Sequence, residues 1–221
     1  MSFAIAIDGP VGAGKSSVSK EVAKKLGYIY VDTGAMYRSV ALFCLETFVD
    51  LNDGNKITKV LDDIDIEIKY VDSEQRIFLN DMDVTTEIRA EHVGVGSSKV
   101  AVVKSVREKL VNLQRKLAEG KNIVMDGRDI GTFVLPDADI KIFLTASVEE
   151  RAKRRAKELK KKGEGVSEEE IKKEIIERDN RDITRAESPL KQANDAIYLD
   201  ASDMSKEKVV EYIVNLIKMH K

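Results

Sequence analysis

Gly9-Pro10-Val11-Gly12-Ala13-Gly14-Lys15-Ser16 has the P-loop spacing G-x-x-x-x-G-K-S, and it lies between the apolar run Phe3-Ala4-Ile5-Ala6-Ile7 and a helix-forming run from Ser17 to Leu26. Strand, glycine-rich turn and helix, in that order, are the context in which this pattern has chemical meaning. The glycines let the backbone wrap a polyphosphate with its N–H groups turned inward, at the positive end of the following helix. Lys15 would reach the β- and γ-phosphates, and Ser16 would offer its hydroxyl to Mg²⁺. The expectation is a nucleoside triphosphate site, which leaves open where the γ-phosphoryl group goes.

The rest of the composition narrows the choice. A chain of 221 residues can bury a full core as one domain with insertions. Its formal net charge of -2 lacks the basic excess of a phosphate-backbone binder, so nucleic acid is a poor candidate partner. The single Cys44 cannot form an intrachain disulfide, and its neighbours Leu42, Phe43 and Leu45 mark it as a core thiol. With only His92 and His220, the chain offers neither a histidine metal site nor a Ser/His relay. There is no signal-type segment at the start, and no apolar run approaches the ~20 residues of a membrane span. A soluble, cytoplasmic, monomeric protein is expected.

Outward from the loop, Gly27 stops the first helix. Tyr28-Ile29-Tyr30-Val31 then reads as a strand ending at Asp32-Thr33-Gly34, and a helix follows from about Ala35 to Thr47. Arg38 falls in the first turn of that helix, where the dipole disfavours a cation. It is either a solvated arginine or one offset by an anionic ligand. From Ile64 the pattern alternates strictly, with Ile64, Ile66, Ile68 and Tyr70 on one face. With Arg76–Leu79 and Val84-Thr85, across turns at Asp72-Ser73 and Asn80-Asp81, this predicts a small antiparallel sheet of two or three strands over about 63–86. A helix over Thr86–Val93, interrupted at Gly94 and Gly96, and a longer one over about Lys99–Glu119 come next.

Asn122–Met125 reads as a strand ending in Asp126-Gly127-Arg128-Asp129. The strand Asp139–Leu144 leads to a capping box at Ser147–Glu150 and a helix broken at Gly163 and Gly165; a second box at Ser167–Glu170 opens another helix. A strand over Ala196–Leu199 and a helix from Lys206 complete the chain. Five such strands alternating with helices predict an α/β fold of the P-loop NTPase kind, with a parallel five-stranded sheet, helices on both faces, the small sheet as an insertion and a helical lid.

Two arginine sets have helical spacing. Arg151, Arg154 and Arg155 project from one face, and Arg178, Arg181, Asp182 and Arg185 form another stripe. Between them the run Lys160–Gly165 reads as the tip of a mobile hairpin. Spacing alone fits solvated faces held by Glu174–Arg178 and Glu177–Arg181 as well as it fits a lid. Phosphoryl transfer favours the lid, because it needs positive charge around the equatorial oxygens, water kept out, and the bidentate grip of arginine on phosphate.

The P-loop, Asp32-Thr33-Gly34-Ala35-Met36-Tyr37-Arg38, Asp126-Gly127-Arg128-Asp129 and Glu177-Arg178-Asp179-Asn180-Arg181-Asp182-Ile183-Thr184-Arg185, in this order, resemble the bacterial cytidylate kinases over essentially the whole chain. The small-sheet insertion resembles that of the bacterial branch, and Thr33 stands where the family often has serine. The resemblance implies transfer of the ATP γ-phosphoryl to CMP or dCMP with Mg²⁺. It also implies a core of 1–34, 120–146 and 188–221, a monophosphate-binding domain of 35–119 and a lid of 147–187. Lys15, Arg128, Arg155 and Arg181 form the implied catalytic set. ATP would be held by Gly9 through Ser16 together with Ser17 and Arg154. For the acceptor, Arg38, Arg128 and Arg185 are implied at the phosphate, Arg178 and Asp182 at the sugar, and Ser98, Arg107 and Asp129 at the base, with Thr33 also in the CMP-binding set.

The base assignment agrees with hydrogen-bond chemistry. Cytosine presents an amino donor at N4 and acceptors at N3 and O2, which an aspartate, an arginine and a serine complement. Other readings stay open on sequence chemistry. One is another P-loop kinase with a different monophosphate such as UMP, or with a hydroxyl acceptor, which would want a base such as Asp32 or Asp129. A GTP switch would want N-K-x-D, and Asn55-Lys56-Ile57-Thr58 lacks the aspartate. Asp32 and Asp126, each at a strand end, are equal candidates for ordering Mg²⁺ with Ser16.

Overall fold

The computed structural model describes residues 2–71, 74–161 and 165–220. In chain order it contains β1 (Ala4–Asp8), α1 (Lys15–Leu26), β2 (Ile29–Asp32), α2 (Thr33–Glu46), α3 (Gly54–Lys59), β3 (Ile66–Val71), β4 (Glu74–Leu79), β5 (Met82–Asp83), α4 (Glu91–Val100) and α5 (Lys104–Ala118). Then follow β6 (Ile123–Gly127), β7 (Ile140–Thr145), α6 (Val148–Lys161), α7 (Glu168–Thr184), β8 (Ile197–Asp200) and α8 (Lys206–Met219). The chain divides into two compact units, Met1–Tyr30 with Gly120–Lys221, and Val31–Glu119.

The first unit is built on a five-stranded sheet of order β2-β6-β1-β7-β8, in which β1 runs parallel to β6 and β7, and β7 to β8. Its strands are nearly unbroken apolar runs because both faces are buried. Ile5, Ile7, Val124, Ile142 and Leu144 pack with Val18 and Val22 of α1 and with Val210 and Ile213 of α8. Ala6 and Met125 alternate to the opposite face and are fully buried there. Truncating Ile7 to alanine would cost about 2–5 kcal/mol at such a site. The parallel register sets Asp8 beside Gly127, so the P-loop and the Asp126–Asp129 run leave the sheet together at the carboxyl ends of its central strands. A π-helical turn, Ile130–Val134, follows that run and has no counterpart in the sequence expectation.

Helices α6 and α7 pack through Ala152, Leu159, Ile171 and Ile175. The Ser147 hydroxyl accepts from the Glu150 N–H at 3.2 Å, and the capping box of α7 is complete. Of the expected hairpin tip, Lys162, Gly163 and Glu164 lie outside the described residues.

In the second unit β3, β4 and β5 form the antiparallel sheet. The alternation holds near its start, with Ile64 and Ile66 buried, and fades toward the half-exposed Tyr70. Asp72-Ser73, the expected turn, lies outside the described residues. The third strand is Met82–Asp83 rather than Val84-Thr85, because Thr85 uses its hydroxyl to accept from the Ile77 N–H at 2.9 Å and to meet Asp83. The helix expected over Thr86–Val93 is instead a 3-10 turn, Glu87–Arg89, and α4 runs unbroken through Gly94 and Gly96. Gly96 is a contact residue rather than a breaker: a Cβ there would lie 3.0 Å from Leu51 and 3.2 Å from Ala41 of α2. The single long helix expected over Lys99–Glu119 is divided, with α4 ending at Val100 and α5 starting at Lys104.

Candidate active site

The P-loop leaves β1 at Gly9, whose φ of 149° brings its backbone so near β7 that a Cβ would lie 1.9 Å from the Leu144 carbonyl oxygen. Only glycine fits there. Lys15 is buried and its Nζ donates to the Pro10 carbonyl at 2.6 Å. Burial, reinforced by the nearby Arg128 charge, holds the Lys15 ammonium well below its ordinary pKa despite Asp126, Asp182 and Asp8 around it. An incoming polyanion would reverse that shift. The eight motif residues divide by role. Pro10 has no N–H, and the Val11 N–H donates to Asp179 at 3.1 Å. Gly14, the N-cap of α1, and Lys15, Ser16 and Ser17 in its first turn have N–H groups without helical partners, so together with Gly12 and Ala13 of the loop they are the donors offered to a phosphate.

Ser16 donates to one oxygen of Asp126 at 3.0 Å and the Tyr30 hydroxyl to the other at 2.8 Å. This separates the two aspartates that the sequence left equal. Asp32 caps α2 by accepting from the Ala35 N–H at 3.0 Å, and it pairs with Arg38 at 3.1 Å and Arg89 at 2.9 Å. Burial opposes the Asp32 charge, but the two guanidiniums hold its carboxyl below the usual range. Arg38 itself is displaced from the expected position. Because α2 starts at Thr33, Arg38 lies in its second turn, and Asp32 supplies the negative charge beside it. Arg89, 57 residues from Asp32, carried no sequence signal for this contact.

At the end of β6, Arg128 donates from Nε to Asp182 at 2.7 Å, and Arg185 donates to Asp129 at 3.2 Å and to the Ser188 carbonyl at 2.8 Å. Burial works against the Asp182 charge, and Arg128, Arg178 and Arg185 outweigh it, so its carboxyl lies below the ordinary value. Asp8, which sequence reading passed over, accepts from the Ile130 N–H at 2.8 Å and the Gly131 N–H at 2.7 Å, and so fixes the turn after Asp129. Burial pushes its carboxyl up to about 6.

The arginines of α6 do not act as one face. Arg151 is buried, ion-paired to Asp179 at 2.6 Å. Arg154 pairs with Glu150 at 3.1 Å and donates to the Ala201 carbonyl at 2.7 Å, and Arg155 meets Glu158 at 3.4 Å. On α7, Arg178 and Arg181 are half-buried. In the second unit, Thr33 opens α2 and is buried, and Ser98 donates to the Val95 carbonyl at 3.0 Å. Arg107, also buried, lies with its guanidinium 5.8 Å from the Tyr37 ring centroid.

No cluster of three or more His, Cys, Asp or Glu suited to a metal occurs among the described residues. The Ser16–Asp126 oxygen pair fits Mg²⁺, which takes one or two carboxylates and completes its shell with water and substrate phosphate. Among the described residues no helix is long and apolar enough to cross a membrane.

The chain is 52% identical over 212 residues to the cytidylate kinase of Caldicellulosiruptor saccharolyticus, covering 96% of this chain and 94% of that one. It is 48% identical over 218 residues to the cytidylate kinase of Shouchella clausii, covering 99% and 97%. The crystal structure of an uncharacterised protein from Eubacterium ventriosum shares the fold, with a TM-score of 0.55 at 16% identity over 98% of each chain. The cytidylate kinase family matches residues 5–219, and the chain belongs to that family.

Proposed function

We propose that this protein transfers the γ-phosphoryl group of ATP to the phosphate oxygen of CMP and dCMP. The observation that carries the reading is the meeting, at the carboxyl ends of β1 and β6, of the Lys15–Ser16–Asp126 group with Arg128 and Asp129. The first group suits a triphosphate donor, and the second suits an anionic acceptor bearing an amino group. In this reading 147–187 acts as a lid, 35–119 receives the monophosphate, and the remaining residues form the core.

The acceptor needs no general base. A monophosphate with second pKa near ~6 is largely dianionic at neutral pH and can attack directly. A hydroxyl acceptor would need a carboxylate free to take its proton, whereas Asp32 and Asp129 are each held by guanidinium groups. The protein's part is in-line placement and charge neutralisation. Lys15 and the N–H groups of Gly12–Ser17 hold the donor, with Arg154 beside it. Arg128, Arg155 and Arg181 face the transferring group. Arg38, Arg128 and Arg185 hold the acceptor phosphate, Arg178 and Asp182 attend its sugar, Ser98, Arg107 and Asp129 read the base, and Thr33 completes the CMP site. The assignments of Thr33, Arg38, Ser98 and Arg107 rest on family membership. Ser16 and Asp126 would hold Mg²⁺, which when bound neutralises charge on the β- and γ-phosphate oxygens.

ADP release from Mg·ATP, followed separately with CMP, dCMP, UMP, AMP, GMP and no acceptor, tests this. Fast release with CMP and dCMP, slower release with UMP and almost none without acceptor are expected. Equal release with every acceptor, or with none, would overturn the proposal.

A further inference from the structure

The cytidylate kinase reading leaves one buried ion pair without a task. Arg151, near the start of α6, and Asp179, on α7, are 4% and 8% exposed, and neither belongs to the donor or acceptor set above. Together they hold a single P-loop residue from two sides. Asp179 accepts the Val11 N–H on Oδ1 at 3.1 Å, and its other oxygen takes Arg151 Nη1 at 2.6 Å. The same Nη1 donates to the Val11 carbonyl at 2.8 Å, while Nε is fixed on the Ala146 carbonyl at 2.9 Å. The stem of Arg151 passes under Gly12, where an added Cβ would lie 3.4 Å from the Arg151 Cβ.

Peptide planarity turns these contacts into a statement about the loop. In a trans peptide C=O and N–H point in opposite directions. The Pro10–Val11 unit therefore has Lys15 Nζ on its oxygen at 2.6 Å and Asp179 on its N–H. In the next unit, Arg151 on the Val11 oxygen turns the Gly12 N–H the other way, away from the guanidinium. Two successive peptides are thus set by one ion pair, and they are the two that place Lys15 and the first available phosphate donor.

We propose that the Arg151–Asp179 pair is a positioning clasp that ties α6 and α7 to the P-loop and presets it for the triphosphate donor. The proposal rests on the ATP-dependent reading above. Neither residue touches the reacting atoms; each acts through Val11. The clasp also gives α6 and α7 a direct mechanical route to the donor site, since any movement that separates the two residues releases both peptides.

The test compares ATP with CMP in the full-length protein carrying Asp179→Asn, Arg151→Lys, or Arg151→Met with Asp179→Leu. The double variant removes both charges at once, so that no lone buried charge is left to unfold the chain. Binding of a fluorescent N-methylanthraniloyl ATP is measured without acceptor, alongside KM for each substrate and kcat. In the double variant, a rise of about tenfold in analogue Kd and ATP KM is expected, the scale of losing hydrogen bonds to charged groups, with CMP KM unchanged and thermal stability kept. Asp179→Asn, which keeps an acceptor for the Val11 N–H, should lose about threefold. Unchanged analogue affinity in folded Asp179→Asn and Arg151→Lys overturns the clasp, as does equal weakening of ATP and CMP. If the double variant does not fold, the two conservative variants decide. If wild type binds the analogue but shows no acceptor-dependent turnover, the kinase reading fails while the binding comparison still tests the clasp.

Discussion

Helices α6 and α7 each carry a stripe of arginines at helical spacing, yet the two stripes are used differently. On α7 the buried positions recur three residues apart, Asp179, Asp182 and Arg185, and each is paired with a residue of the loops that leave β1 and β6 or with a helix that reaches them. On α6 only Arg151 is treated this way. Arg154 and Arg155, whose side chains are 30% and 31% exposed, pair with glutamates of their own helix, contacts worth about 0.2–0.5 kcal/mol. Periodicity fixes which face a residue is on, whereas depth is decided by what packs opposite. The buried α7 residues are held by paired charges, while Arg154 and Arg155 keep enough exposure to turn toward a substrate.

The strongest way to break this contrast is at Arg185. Arg185→Ala should lower kcat/KM for CMP by about 10²–10³, the scale of losing a placed charged donor, with ATP KM within about threefold. Steady-state kinetics with each substrate varied in turn checks it, and a melting curve shows whether the unpaired Asp129 has weakened the fold. A loss shared equally between ATP and CMP would mean that the α7 stripe organises the whole site rather than its acceptor side.

Next in size is base choice. Asp129→Ala should shrink the CMP to UMP ratio of kcat/KM by about 10–100-fold, mainly through weaker CMP, because uracil offers an oxygen where cytosine offers an amino group. Competition kinetics with both nucleotides reads the ratio directly. An unchanged ratio would reduce Asp129 to the partner of Arg185.

How these pairs escaped the sequence is instructive. The P-loop was legible because its chemistry lies in contiguous backbone, and the capping box of α7 for the same reason. The five parallel strands were legible as apolar runs, with ends shifted by one or two residues. Arg128–Asp182 and Arg185–Asp129 join residues 54 and 56 apart, and no local period connects them. The resemblance supplied those residues but not their pairing. Asp8 falls between the apolar run and the P-loop, and Asp179, inside the Glu177–Arg185 motif and three residues before Asp182 on the same stripe, carries no role there. Gly96 was misread because a glycine that breaks a helix and one that lets two helices touch look alike in one dimension; the Leu51 and Ala41 side chains decide between them.

On α6 the expected effect is smaller. Arg155→Ala should reduce kcat by about tenfold at saturating CMP and ATP, with CMP KM unchanged, since a half-exposed arginine contributes only when it swings onto the transferring phosphoryl. Single-turnover measurements separate the chemical step from product release. A loss as large as that of Arg185→Ala would erase the distinction between the buried and the half-exposed stripe.

The smallest effect sharpens the contrast from the side of stability. At the start of α7 the Ser167 hydroxyl accepts from the Glu170 N–H at 3.2 Å, and the Glu170 carboxylate accepts from the Ser167 N–H at 3.1 Å. Ser167→Ala removes half of this box and should cost about 1 kcal/mol, a fall in Tm of about 2–4 °C for a chain of this size. Asp179 lies twelve residues on, about 18 Å along the helix axis at 1.5 Å per residue. Ile171 and Ile175 anchor the intervening turns on α6. Fraying of the first turn should therefore stop short of the site, leaving kcat/KM for ATP within about twofold, as calorimetry and kinetics on the same preparation would show. A kinetic loss larger than that would mean that α7 transmits disorder along its length to Asp179, so that its buried stripe is held by the helix as a whole rather than by the partners each residue meets.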